Sequence, residues 1–240
     1  MAQEQGLSRN EIRRRGLISL CSQFDVSLEV LLENYSEKHF FNSTINKKEF
    51  FNEIINNKLS KESVDFLEQR CSYSYHKDNR ASIDYGIDLA IGWLAEDLVL
   101  QKLSDFGFTV VSFGNDAHRE YLPQDEIGTQ ADYILKTNNK DLAIELVISW
   151  NNYWQKTNRL DLRDSKFRRL SSREIDSVLI GIEPMSHSFF ISSVEVMKKY
   201  FQWRENPAWG NKGVYTLHAI DKVMRPISMF RREYLLNFLK

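Results

Sequence analysis

Proline and glycine are scarce in this chain, four and ten among 240 residues. A proline- or glycine-rich linker is thereby excluded, and no internal repeat is visible. Cysteine is scarcer still. Cys21 and Cys71 lie far apart in helix-like stretches, with no metal-ligand spacing and no basis for a disulfide framework. No apolar run approaches membrane-spanning length, and the start, Met1-Ala-Gln-Glu-Gln5, is polar. A cytoplasmic, reduced protein that makes no use of a membrane is expected. No charge sign dominates: the formal net charge of -1 by itself says nothing about partners. There is no glycine-rich phosphate loop and no nucleophile elbow, and His76, His118, His187 and His218 show no ligand spacing.

What is present is enough chain for one sizeable core, or one core and a small satellite. Residues 1–80 read as a helical subdomain, for DNA binding or dimerisation. Ser8-Arg-Asn-Glu11 is a capping box ahead of Ile12, Leu17, Ile18, Leu20 and Cys21. Asp25 or Ser27 caps a helix from Leu28 to Tyr35. Asn46, with Glu49 three residues on, starts another carrying Phe50, Phe51, Ile54 and Ile55, and Ser60 precedes a fourth running to Cys71. Arg9, Arg13, Arg14 and Arg15 on the first helix fit a helix-turn-helix or an ordinary dimerisation element. The polar stretch 72–81 is the expected boundary, with a core and C-terminal extension over 81–240.

From Ile83 the pattern changes. A long helix to Phe106 carries Ile87, Ile91, Leu94, Leu98 and Leu103 at helical spacing, Gly107 is placed for a left-handed cap, and Phe108–Phe113 reads as a strand. Residues 114–128 form a polar loop. A helix is expected from at least Asp164 to Glu174. Ser177–Ile182 is a short, wholly apolar strand, suited to burial on both faces. Helical Val194–Trp203, a strand over Gly213–Ile220 and a helix over Met229–Leu239 complete the chain.

The segment that concentrates chemistry is Gly128-Thr-Gln-Ala-Asp132-Tyr-Ile-Leu, followed after Asn138-Asn-Lys-Asp141 by Leu142-Ala-Ile-Glu145-Leu-Val-Ile-Ser-Trp150. Two strand-like runs joined so tightly predict an antiparallel hairpin. Each run carries an acid near its start, and an acid in an apolar strand is costly unless something pairs with it. A divalent cation between Asp132 and Glu145 is one such partner. Just beyond, Lys156, Arg159, Arg163, Lys166, Arg168, Arg169 and Arg173 stand against only Asp161 and Asp164. That stripe suits either a polyanion or a solvated helix face.

The order helix, strand, strand, strand, helix, strand over residues 83–182 resembles the PD-(D/E)xK nuclease superfamily, the restriction-endonuclease-like fold. Gly92-Trp-Leu-Ala-Glu96 and Leu103-Ser-Asp-Phe-Gly107-Phe-Thr-Val resemble that family's opening helix and first strand. The resemblance covers roughly the middle 100 residues. It implies an α/β fold, a mixed sheet flanked by helices. It also implies that Asp132 is the first acid, Glu145 the second and Glu96 an accessory helix carboxylate, with Mg2+ held by Asp132, Glu145 and the Leu146 carbonyl. Two departures stand out. Ala131 precedes the aspartate where proline is common, and Val147 occupies the position of the usual lysine. A valine can neither orient water nor stabilise charge, so another lysine must reach that space, or the metal works alone, or the site is silent. Lys166 and Lys156 are the candidates, with Lys166 favoured because Phe167 and Leu170 would anchor its helix.

For substrate, Arg159, Arg163, Arg168, Arg169 and Arg173 would contact phosphates. Asn151, Asn152 and Gln155 could read base edges, while Trp150 and Trp154 suit either a base wedge or the core. The expected function is a Mg2+-dependent endonuclease on double-stranded DNA, most like a type II restriction enzyme acting as a homodimer. The alternatives are a repair, recombination or RNA-processing nuclease of the same fold, or a catalytically silent nucleic-acid-binding protein.

Overall fold

The computed structural model describes residues 6–40, 42–72, 81–112, 118–121, 133–136, 141–172, 176–207 and 210–239, without the side chains of 237–239. The chain divides into two compact units, one of residues 1–102 with 115–128, the other of 103–114 with 129–240.

The first unit is helical: α1 (Arg9–Phe24), α2 (Leu28–Glu33), α3 (Lys47–Asn56), α4 (Lys61–Ser72) and most of α5 (Ser82–Asp105). Local capping sets the starts. The Ser8 hydroxyl accepts from Glu11 N, Ser27 from Val30 N, Asn46 from Lys48 N and Glu49 N, and Ser60 from Ser63 N. Asp25 instead ends α1, in a left-handed conformation with φ of 55°. The unit's interior is an aromatic cluster in which Phe40, Phe50, Phe66 and Tyr121 meet edge to face or tilted.

The division runs through α5 at Lys102 rather than at the boundary expected near residue 80. The reason is bonding. Asp84 accepts from Asn10, Asp88 holds Arg9 and Arg13, and the Gly86 carbonyl accepts from Tyr121. Lys102 donates to the Phe24 carbonyl. Gly86 is also required by packing, because a Cβ there would sit 2.4 Å from Leu67 Cδ2. The arginines of α1 are engaged within this unit: Arg14 is buried on the Ile54 carbonyl and Arg15 pairs with Glu11.

The second unit holds two sheets. The larger has the order β1-β2-β3-β5-β6-β9, built from β1 (Thr109–Ser112), β2 (Tyr133–Lys136), β3 (Asp141–Ile148), β5 (Ser177–Glu183), β6 (Ser188–Ser193) and β9 (Arg225–Pro226). β1, β2 and β3 are antiparallel neighbours, and the expected hairpin is β2–β3 with Tyr133 opposite Ile144. Its turn residues Asn138, Asn139 and Lys140 lie outside the described residues. β3 then pairs in parallel with β5, Glu145 beside Leu179. The fold is therefore α/β with a mixed sheet flanked by helices, and it carries the helix, hairpin and parallel-strand order that the family resemblance implied. β5 is buried along its whole length, as its unbroken apolar run required.

Three stretches differ from expectation. The helix expected from Asp164 does start there, as α7 (Asp164–Ser171), but the basic residues ahead of it lie on α6 (Tyr153–Thr157) and an unforeseen strand β4 (Arg159–Arg163). The alternation of Leu160 and Leu162 with Arg159, Asp161 and Arg163 satisfies a two-residue period, which a charge count hides. The helix expected to Trp203 stops at Tyr200 (α8, Val194–Tyr200), and Gln202–Asn206 is strand β7. With β8 (Lys212–His218), these strands make a second, antiparallel sheet of order β4-β8-β7. β6 was also unforeseen, and it packs a phenylalanine on each face of the larger sheet. Phe190 meets Trp154, while Phe189 meets Tyr234 of α9 (Arg232–Leu239). Gly181 of β5 is obligatory beneath Phe190, since a Cβ would lie 1.9 Å from the ring. The main core of this unit joins Leu160, Leu162, Phe167, Leu170, Leu179 and Phe190.

Candidate active site

Glu145 sits in the middle of β3 and is fully buried. Its face of the strand is the face of the core. Leu179, its partner in register on β5, belongs to the apolar cluster, and Val147 two residues on packs against the same cluster. An ionised carboxylate at such a position costs several kcal/mol unless a charge meets it. Lys166 of α7 meets it, its ammonium in an ion pair with Glu145 Oε1. The lysine side chain is 28% exposed against 1% for the glutamate. Phe167 and Leu170, both buried, hold α7 down, as expected from their spacing. Val147 packs against the core, and the cation beside Glu145 comes from α7.

The other expected residues separate into groups. Asp132 and Arg173 lie outside the described residues; Tyr133, next to Asp132 in the chain, begins β2. Leu146 is buried, in register with Ile180. Glu96 belongs to the first unit, where its carboxylate accepts from Arg119 at 2.8 Å, while Asp97 takes the other side of the same guanidinium at 2.7 Å. Lys156 donates to the Asn151 carbonyl at 3.0 Å. It is not what the structure brings to Glu145. Among the basic residues, Arg168 pairs with Asp164 one helical turn away. Arg159 donates to the Tyr153 hydroxyl, and Arg163 is exposed at the end of β4. Arg169 is half-buried. Asn151 and Gln155 are exposed, and Asn152 is half-buried with φ of 54°. Trp154 is core, against Phe190, and Trp150 is half-buried.

Two polar centres escaped the sequence reading. Glu183, at the end of β5, is fully buried and accepts from Ser149 Oγ, Trp154 N, Gln155 N and Ser186 Oγ at 2.8–3.2 Å. It anchors the loop leaving β3 and caps α6. The signal available was Glu183 closing an apolar strand. Asp161 of β4 accepts from Thr216 at 2.6 Å, Arg204 at 2.8 Å, Tyr153 at 3.1 Å and Asn206 at 3.1 Å. Burial pushes its carboxyl up, but the hydrogen bonds from Thr216 and Arg204 and the arginine's charge outweigh that. The group is held below its ordinary range.

Among the described residues no three His, Cys, Asp or Glu side chains gather as a metal site. Of the expected metal ligands, the described residues include Glu145, buried and paired with Lys166, and the buried Leu146.

No family model matches the chain, and no curated protein matches it. Among solved structures it is similar to a Holliday junction resolvase from the archaeal hyperthermophile Archaeoglobus fulgidus. The identity is 14% and the TM-score 0.35, over 55% of this chain and 96% of that one. So loose a likeness has no functional weight, and the chain's own residues must carry the function. Among the described residues no helix is long and apolar enough to cross a membrane.

Proposed function

We propose that this protein is a Mg2+-dependent endonuclease that hydrolyses phosphodiester bonds of double-stranded DNA, and that it acts as a homodimer of the type II restriction kind. One observation supports this above the rest: Lys166 of α7 pairs with the buried Glu145 and would stand in for the lysine absent at position 147. The hairpin, the second acid and a lysine ammonium are the parts that such a site needs, arranged here on different elements.

Asp132, Glu145 and the Leu146 carbonyl would hold the metal. When bound, the ion supplies neutralisation of phosphate charge and a more acidic water. The protein's own contribution is position and charge. β3 is paired with β2 on one side and β5 on the other, so the backbone that carries Glu145 is fixed. Lys166 carries three N–H donors, and those not turned to Glu145 can take a water or a phosphate oxygen. Its partial exposure lets substrate approach from solvent, past the lysine, to an otherwise closed carboxylate. Lys156 has no part in this step. Glu96, engaged by Arg119, is not needed for it either. Cutting both strands with one site per chain requires two chains, hence the dimer.

The test is plasmid cleavage with Mg2+. Discrete fragments, lost in Glu145→Ala and in Asp132→Ala, are expected. Ragged digestion or cutting only at branched structures would move the proposal to a repair or recombination nuclease. Undigested DNA under all metal conditions would sink it.

A further inference from the structure

We infer that the outer edge of β7, with the helix α8 leading into it, is the surface on which a second copy of this chain docks. The expectation of two chains rests on the nuclease reading above. The surface itself contains none of the residues given there to cleavage or to DNA. β7 ends its sheet: among the described residues it pairs with β8 and with no other strand. A strand so placed presents a row of backbone N–H and C=O groups, and an identical strand running antiparallel is their complement. Edges that must stay single commonly carry a lysine, a proline or a bulge. Gln202–Asn206 has none of these. Its one cation, Arg204, is turned to Asp161 and Thr216 of its own sheet.

The chain beside this edge is apolar where it meets solvent. Trp203 is 53% exposed, Tyr200 52% and Val196 40%. Val196 and Tyr200 lie one turn apart on the solvent side of α8, while Met197 is buried. Trp203 follows on β7, on the face of Phe201. Its indole lies against Gly213, where a Cβ would sit 2.9 Å from Nε1. An aromatic side chain ordered in advance gives up little freedom on binding.

Charge decides the occupant. Glu195, Lys198, Lys199 and Glu205 share this stretch, all exposed, and none is ion-paired among the described residues. The Lys199 ammonium stands 5.0 Å from the centre of the Tyr200 ring. Two acids and two lysines cancel. A polyanion would meet repulsion as often as attraction there, while a copy turned about a two-fold axis can set each sign against its opposite. The register follows from the same rule. A seam centred on Arg204 or on Glu205 would put like charges directly opposite. Centred on Trp203, it sets indole against indole and Gln202 against Arg204 of the second copy. The aromatic side chains then make the centre and the charged ones the rim, the division that protein interfaces show.

The experiment is sedimentation velocity of the full chain across a range of concentrations. The parent protein should dimerise. Trp203→Glu sets two acids at the axis and should weaken the dimer about thirtyfold or more, as the loss of a central anchor does. Ile18→Glu, at an exposed apolar residue of α1, is the control and should change nothing. Because Trp203 packs on Gly213, a second set of variants leaves it in place. Glu195→Lys with Glu205→Lys should dissociate the dimer, and adding Lys198→Glu with Lys199→Glu should restore it. A parent that stays monomeric, a dimer indifferent to Trp203→Glu, equal weakening by the control, or charge reversal without rescue overturns the inference. So does a monomer whose affinity for a DNA duplex falls with Trp203→Glu, which would give the patch to nucleic acid. Sedimentation needs no cleavage, so a dimer that breaks as expected but never cuts DNA condemns the nuclease reading alone.

Discussion

Two glutamates on adjacent parallel strands are equally buried and are satisfied in opposite ways. Glu183 is held by backbone N–H groups of α6 and by two serine hydroxyls. The two backbone donors cannot leave without unwinding the helix. Glu145 is met by a lysine ammonium whose side chain is partly in solvent. A cation of that kind can shift toward water or phosphate while keeping its charge hydrated, as lysine stems commonly do. Burial alone therefore does not mark a functional carboxylate. The nature of the partner separates a structural acid from one that can exchange its counter-charge.

The largest expected effect tests that contrast directly. Lys166→Met should lower single-turnover cleavage by about 10²-fold or more, the range for an essential proton-transfer or charge-stabilising group. Lys156→Met should leave the rate nearly unchanged. A reversed order would show that the ion pair in the structure is not the working one. Next, Glu183→Ala should lower urea-unfolding stability by about 2–5 kcal/mol, because it strands buried donors. A loss no greater than for a surface substitution would erase the difference between the two acids. Lys166→Met alone should destabilise by about 2–3 kcal/mol, less than a fully buried broken pair because the lysine is partly exposed. Adding Glu145→Leu to Lys166→Met should recover most of that loss, since an apolar pair suits the core side of β3. Continued destabilisation in the double variant would mean that Glu145 holds the fold as Glu183 does.

The smallest effect concerns the third acid, Asp161. Its folded carboxyl is held below the ordinary range, so the stability it contributes is present above the unfolded value and is lost as pH falls through the depressed folded one. Unfolding midpoints should therefore drop on the acid side, at and below the ordinary aspartate value near ~3.9. In Asp161→Asn that acid limb should flatten. An unchanged limb would place the cluster's contribution elsewhere.

How much of this was legible depended on range. The helix starts at Ser8, Asn46 and Ser60 could be read directly, because a cap joins residues only three apart. The hairpin was legible from its turn, and β5 from its unbroken apolar run. β4 and β7 were not. Their charged residues alternate with Leu160, Leu162 and Trp203 over too few positions to outweigh a helical reading. What makes them strands is β8, which pairs with both from more than fifty residues away from β4.

By itself, then, the sequence determined the α/β class, the helical first part and Glu145 as an acid inside an apolar strand, and it showed that Val147 leaves the usual lysine position empty of charge. It narrowed that lysine to Lys166 or Lys156. The tertiary structure pairs Lys166 with Glu145, because α7 packs Phe167 and Leu170 inward, while Lys156 donates to the Asn151 carbonyl. It also brought Arg204 and Thr216 to Asp161. Caps and periodicities are local interactions, written in neighbouring residues. Which charges meet across a core is set by non-local strand pairing and helix packing, and only the folded chain brings those groups within reach.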